Sequence, residues 1–371
     1  MSEFMYINPG MINPVTKANV RDGEIAKLKD LKEKGYTIIG LEMTVPALAE
    51  ICDKNIDPQH TEGKADECCA KTIAKNAEDL LSDYRGKDVM FVTNRVDVDS
   101  VAAYVLADRF LQGEKVDYTP TIAAINAHDA FQGAKWSGPK PIEQAFDPES
   151  KTGALAASIQ VFKVTPENIA DVRGFIDSGE VRDAVMAKFR GDQQAIIDKV
   201  KSGEIKTEVV GGVAYVESTD RAATNVGYSM APVVVAVNPT MPAKGGYTYR
   251  KLSICQHEGG YFDISSVSIA LNKIEIDKKI KEGTLEQGCV EAQIIKCKEA
   301  EPHLSDVKAL EKACSKLGGW GGSPTFLGSP AEQNCTTSMS DIKKLVFANL
   351  TPDYKAKVTS QSAKANDGQD K

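Results

Sequence analysis

No two of the eight cysteines, Cys52, Cys68, Cys69, Cys255, Cys289, Cys297, Cys314 and Cys335, stand in C-x-x-C spacing. That spacing is what a zinc knuckle or a redox motif requires, and a chain of 371 residues does not need a disulfide frame. Buried free thiols in a reducing compartment are the expectation. No apolar run approaches the roughly 20 residues that span a bilayer. Met1 to Asp22 lacks a basic segment followed by an apolar one, so no secretory signal is expected there. A cytoplasmic protein without a membrane partner is predicted. Basic residues are also in deficit, 45 Lys and Arg against 52 Asp and Glu, for a net charge of -7. Such a balance argues against broad coating of long nucleic acids, yet leaves room for a small anion in a local basic pocket. No internal repeat is present.

What the chain does have is length for two cores, with 42% hydrophobic and 26% charged residues, as in ordinary globular proteins. Short apolar strands alternate with longer amphipathic helices, the pattern of an α/β protein. A helix is predicted over about Gly23 to Lys34, then a strand from Tyr36 to Leu41 and a short helix opened by Pro46. A helix over about Ala65 to Ser82 leads to the strand Asp88 to Thr93, and Ser100 reads as the N-cap of a helix from Val101 to Leu111. Lys163 to Ser202 reads as two charged helices between domains. From Thr207 the chain turns β-rich, with strands predicted over Val209 to Val216, Val233 to Val237 and Tyr247 to Cys255. Helix returns from Phe262 to Ile274 and on to Lys316. The polar tail from Tyr354 reads as disordered. The resulting division is 1–165, a helical linker 166–206, a second domain 207–350 and a tail 351–371.

The most informative segment is Asn94-Arg-Val-Asp-Val-Asp-Ser100, which follows an apolar strand and precedes an Ala-rich helix. Ligands bind at the carboxyl ends of strands in open α/β sheets. Residues two apart in extended chain project to one side, so Asp97 and Asp99 can converge on a hard divalent cation. They can equally cap the helix.

This segment resembles the first motif of the DHH phosphoesterase superfamily, which includes RecJ-type exonucleases, nanoRNA and cyclic-dinucleotide phosphodiesterases and manganese-dependent pyrophosphatases. Several members carry a histidine four positions before the first Asp, where this chain has Thr93. The Asp-His-His segment of the family is not found between Ser100 and Trp136. Upstream, Asn55-Ile-Asp-Pro-Gln-His-Thr61 looks like an altered version of it, with Asp57 and His60 as implied metal ligands. That order implies a rearranged sheet with the strand at Asn55 next to the strand at Asp88. As an ordinary loop, Asp57-Pro58 would simply start a turn. In Ile125-Asn-Ala-His-Asp-Ala-Phe131 the resemblance implies Asp129 as the last metal ligand and His128 as a ligand or proton donor. His257 carries no assignment, and His303 reads as a surface residue.

A second cluster, Leu317-Gly-Gly-Trp-Gly-Gly-Ser-Pro-Thr-Phe-Leu-Gly-Ser-Pro330, is dense in glycine. Backbone N–H groups of Gly318, Gly319, Gly321, Gly322 and Ser323 could form an anion nest, and Trp320 could stack on a base. A tight turn around a buried tryptophan gives the same composition. The order of segments from Thr207 to Pro330 is similar to the domain that accompanies DHH domains, with Trp320 in place of a glycine-flanked histidine. By that resemblance Arg250 and Lys251 are candidates for phosphate contact, where otherwise they need be no more than surface charges.

The resemblance implies a mostly parallel N-terminal sheet domain, a smaller α/β C-terminal domain and a cleft between them. It implies two Mn²⁺ or Mg²⁺ ions sharing Asp97 and Asp99, with Asp57, His60 and Asp129 completing the shells and Arg95 bracing the phosphoryl oxygens. Arg95 could equally be a surface ion-pair partner. The expected activity is metal-dependent hydrolysis of short oligonucleotides, dinucleotides or other small phosphate esters. A degenerate nucleotide- or RNA-binding protein and an inorganic pyrophosphatase or polyphosphatase are the alternatives, and a homodimer stays open.

Overall fold

The structure, a computed structural model, describes residues 2–8, 20–61, 64, 66–129, 136–159, 163–220, 223–243, 246–323, 325–330, 334–335 and 337–367. It is an α/β protein whose chain divides into two units, 1–134 with 147–195, and 135–146 with 196–371. No described helix is long and apolar enough to cross a membrane.

The first unit is built on four parallel strands, β1 (Ser2–Tyr6), β2 (Thr37–Leu41), β3 (Lys54–Ile56) and β4 (Val89–Thr93). Their order across the sheet is β1-β4-β2-β3. The strand at Asn55 therefore pairs with β2, not with β4 as the rearranged-sheet expectation had it. That one correction shapes the site, because it puts the end of β2 between the other two strand ends. Helices α1 (Val20–Glu33), α2 (Pro46–Ala49), α3 (Pro58–Thr61), α4 (Cys69–Leu81), α5 (Val98–Leu111), α6 (Pro120–Asp129), α7 (Lys151–Ser158), α8 (Pro166–Ser178) and α9 (Asp183–Ser202) complete the order to residue 202. The strands are apolar on both sides because both faces are covered. Val89 and Phe91 pack with Ile73 of α4, Val101 of α5 and Phe175 of α8. Met90 and Val92 pack on the opposite side with Leu28 of α1 and Leu48 of α2. The two helices expected between domains divide: α8 and α9 up to residue 195 belong to the first unit, the rest of α9 to the second.

The second unit holds a mixed sheet of β5 (Lys206–Val210), β6 (Val213–Glu217), β7 (Val233–Pro242), β8 (Thr248–Gln256), β9 (Gly321–Ser323) and β10 (Phe326–Gly328). The order is β5-β6-β7-β8-β10-β9, with only β6 and β7 parallel. The single strand predicted over Val209 to Val216 is a hairpin, since Gly211 and Gly212 turn the chain at φ of 57° and 78°. Helices α10 (Ala223–Tyr228), α11 (Ile264–Lys281), α12 (Cys289–Ala300), α13 (Asp306–Gly318), α14 (Met339–Ala348) and α15 (Pro352–Asp367) flank the sheet in the chain. The tail is not irregular at its start. Tyr354 and Val358, one helical turn apart, join the core with Val213 and Tyr215, and the Tyr354 hydroxyl donates to the Gly212 carbonyl at 2.7 Å.

Candidate metal centre

Parallel register levels the carboxyl ends of three strands of the first unit. Leu41 lies opposite Ile56, and Gly40 opposite Val92. The next residues, Glu42, Asp57 and the turn after Thr93, therefore leave the sheet at the same edge, where an open parallel sheet binds its ligands.

Glu42 is held there by two asparagines. The Asn55 side chain accepts from the Met43 N–H at 3.2 Å and donates to the Met43 carbonyl at 3.1 Å. Asn94 accepts from the Thr44 N–H at 2.8 Å and donates to the Thr44 hydroxyl at 3.0 Å. The clamped turn carries Glu42 at a φ of 53°, the left-handed region, as the only non-glycine residue so placed among those described. Such a conformation costs of order 1–3 kcal/mol and persists where its surroundings over-determine it. The Glu42 side chain is 1% exposed, and its Oε2 has no hydrogen-bond partner among the described residues.

Asp97 and Asp99 serve different ends. Asp97 is the N-cap of α5, accepting from the Ser100 N–H at 2.9 Å, while the Ser100 hydroxyl accepts from the Asp97 N–H at 3.1 Å. The helix thus starts three residues before the predicted Val101, and Ser100 completes a capping box rather than being the cap. The other Asp97 oxygen pairs with Arg95 Nε at 2.7 Å. Asp99 is buried inside the first turn of α5 and receives the Cys69 and Ala70 N–H groups, both at 2.8 Å. Those donors are at the start of α4, where the partial positive end of a helix favours a carboxylate. Thr93, in the position where the resembled motif has histidine, is buried and spends its hydroxyl on the turn, donating to the Arg95 carbonyl at 2.9 Å.

Asp129 ends α6. Its Oδ2 accepts from Gln59 Nε2 at 2.7 Å, and its Oδ1 lies 3.7 Å from an Arg95 terminal nitrogen. Glu42, Asp99 and Asp129 each offer an oxygen, and these three atoms lie within 4.8 Å of one another. Of the expected metal ligands, Asp99 and Asp129 are therefore brought together, while Asp97 is not in the converging group. Asp57 is buried at the end of β3 but is not in that group either. His60 lies in α3, with its side chain outside the described residues. His128 is exposed in the last turn of α6. Sequence reasoning missed Glu42, although it carries the same signal as Asp97: an acid directly after an apolar strand.

Charge accumulates here. Four carboxylates, Glu42, Asp97, Asp99 and Asp129, stand against the one Arg95 guanidinium. Burial, reinforced by Asp97, Asp99 and Asp129, pushes the Glu42 carboxyl well above the ordinary range. Burial, then Asp129 and Asp97, push Asp99 up to about 7 despite the helix donors. Either protons or a cation relieve such repulsion. An all-oxygen donor set with a buried oxygen left over fits a hard divalent cation such as Mg²⁺ or Mn²⁺.

The second unit presents a different picture at its predicted substrate-binding residues. Trp320 is wholly buried, its backbone N–H donating to Asn272 Oδ1 at 2.8 Å and its carbonyl accepting from Asn272 Nδ2 at 3.0 Å. Base stacking on Trp320 is corrected by that burial. Gly318 and Gly319 close α13, and Gly321, Gly322 and Ser323 form β9, paired with β10. The glycines answer close packing: a Cβ on Gly318 would stand 2.7 Å from the Asn272 Cα, and one on Gly322 would stand 2.0 Å from the Phe326 carbonyl oxygen. Gly318→Ala should therefore cost the second unit about 1–3 kcal/mol. Urea unfolding followed by Trp fluorescence reads this, and an unchanged midpoint would refute the packing role. The Arg250 guanidinium donates to the carbonyls of Cys335 and Thr337 at 3.1 and 3.0 Å. Lys251 Nζ donates to the Ser329 carbonyl, and burial pulls its pKa down to about 8. His257, unassigned from sequence, pairs through Nδ1 with Glu258 at 2.6 Å, and Glu258 also accepts from the Tyr261 hydroxyl at 2.6 Å.

Comparison with family models, curated proteins and solved structures finds no match to this chain.

Proposed function

We propose that the chain is a metal-dependent phosphohydrolase of the DHH type, with Glu42, Asp99 and Asp129 holding Mn²⁺ or Mg²⁺ at the carboxyl edge of the parallel sheet. The observations that carry this reading are the convergence of one oxygen from each of those three carboxylates and, on Glu42, a buried Oε2 that lacks a hydrogen-bond partner among the described residues. The resemblance of Asn94 to Ser100 to the first DHH motif points the same way. When bound, the ion would supply Lewis-acid stabilisation of the negative charge on the phosphoryl oxygens.

The chain's own residues do the rest. Arg95, 46% exposed, is anchored through Nε on Asp97 and faces Asp129 through one terminal nitrogen. Its remaining donors are free in number to grip phosphoryl oxygens, which a planar guanidinium does better than an ammonium. The exposed His128, one residue before Asp129, is the candidate donor of a proton to the leaving oxygen. With Trp320 buried, that residue gives no preference for a nucleobase, so short oligonucleotides, dinucleotides and pyrophosphate are all candidate substrates. Thr93, the missing histidine position, favours a second reading in which the site binds a nucleotide without turning it over.

Hydrolysis of bis(p-nitrophenyl) phosphate, a short oligonucleotide and pyrophosphate, each with Mn²⁺ and with EDTA, tests the first reading. Turnover should require the metal and fall about a hundredfold or more in Asp99→Asn, a loss of roughly 2.7 kcal/mol of transition-state stabilisation. Nucleotide binding with no turnover on any substrate would replace it with the second.

A further inference from the structure

We infer that this centre takes one divalent cation and that Arg95 is the built-in second positive charge. The inference rests on reading the cluster as a cation site, and it concerns how the chain divides its carboxylates. Two groups are visible. Glu42, Asp99 and Asp129 converge within 4.8 Å, and among them Glu42 Oε2 is buried with no hydrogen-bond partner among the described residues. That oxygen marks the place of a ligand that the protein's own donors do not supply, since a buried carboxylate oxygen without a partner is costly.

Asp97 belongs to the other group. One of its oxygens caps α5 through the Ser100 N–H, and the other is 2.7 Å from Arg95 Nε. The same guanidinium reaches Asp129, with 3.7 Å between Arg95 and Oδ1. A second metal ion would need ligands beyond the first three. Of the oxygens at this edge that it could recruit, those of Asp97 and the Oδ1 of Asp129 already face a fixed cation, and Asp57 stands outside the converging group. Thr93, behind them, offers no imidazole and directs its hydroxyl to the Arg95 carbonyl. A guanidinium cannot be deprotonated in a protein, so it keeps this place at any working pH.

Titration of the full-length chain with Mn²⁺ alone, after stripping with EDTA, tests this by calorimetry and by electron paramagnetic resonance. Wild type should bind one ion per chain with the spectrum of an isolated Mn²⁺. Arg95→Ala, which takes away the cation beside Asp97 and Asp129 Oδ1, should bind two, with exchange coupling between them. Asp97→Asn guards against a folding failure of that variant: it should keep one ion with affinity within about tenfold of wild type, whereas Asp129→Asn should lose about a hundredfold. Two coupled ions in wild type, no tight ion at all, or loss of the ion in Asp97→Asn would each overturn the inference. Two ions with turnover would leave the phosphohydrolase reading standing. One ion without turnover on any phosphate ester would remove that reading and leave the stoichiometry.

Discussion

Glu42→Gln is expected to lower metal-dependent turnover by about a thousandfold or more, a loss of roughly 4 kcal/mol, while leaving the metal-free protein at least as stable as wild type. The two halves of this result come from one fact. Asp99 has the α4 N–H groups and Asp129 has Gln59, but Glu42 Oε2 has no such partner among the described residues. Its removal therefore falls almost wholly on the cation. Without the cation, Gln removes a carboxyl that burial and three neighbouring aspartates already hold well above its ordinary pKa. Replacing a poorly compensated buried acid by a neutral isostere is neutral or stabilising. The check is paired: steady-state hydrolysis with saturating Mn²⁺, and thermal melting in EDTA. Turnover within about tenfold of wild type would identify Glu42 as a protonated core acid with no part in the chemistry.

How much of this was readable beforehand depends on which interactions are local. Asp97-Val-Asp99 after an apolar strand is a local pattern, and it led to the carboxyl edge of the parallel sheet, where Glu42, Asp99 and Asp129 converge. Its finer meaning was only partly local. Asp97 as cap is still local, through Ser100 three residues on, but Asp99 as the acceptor for α4 depends on where Cys69 and Ala70 arrive, about thirty residues away. Glu42 carries a local signal too, an acid directly after β2, but its place in the cluster is not local. The expected sheet set the Asn55 strand beside β4, whereas β2 lies between them, and it is that interposition which brings Glu42 into the cluster. Strand order is a property of long-range pairing, and no periodicity along the chain encodes it. Asn55 and Asn94 likewise looked like motif letters, but they work as clamps on a turn that neither adjoins in sequence.

The glycine cluster failed differently. Anion nests and tight packing both select glycine, so composition at Gly318 to Gly322 fits either one. Asn272, supplied by α11, decides between them by pressing against Gly318 and bonding both backbone groups of Trp320. The tail is the opposite case, since its information was present. Tyr354 and Val358 have the i, i+4 spacing of a helix stripe, and the surrounding polar residues obscured it.

The stability of the metal-free protein should fall as pH rises from about 5 to 7.5, and Mn²⁺ should reverse the trend. Asp99 titrates in the folded protein at about 7, against about 3.9 for an unfolded aspartate. Between those values the folded state holds a proton that the unfolded state has released, so unfolding is favoured by raising the pH. The stabilising contribution is complete below about 4 and is lost as pH climbs through about 7, and Glu42 acts in the same direction. A divalent cation competes with those protons, so its stabilisation should grow with pH, reaching about 2.7 kcal/mol at a hundred times its dissociation constant. Other groups titrate as well, and Asp99→Asn serves to subtract them. Melting curves at several pH values, with EDTA or Mn²⁺, should show the wild-type EDTA slope flattened in that variant and its Mn²⁺ shift reduced. A wild-type protein that gains stability with pH relative to Asp99→Asn would mean that the cluster is held together by something other than the charge it is here given, and the metal reading would lose its electrostatic ground.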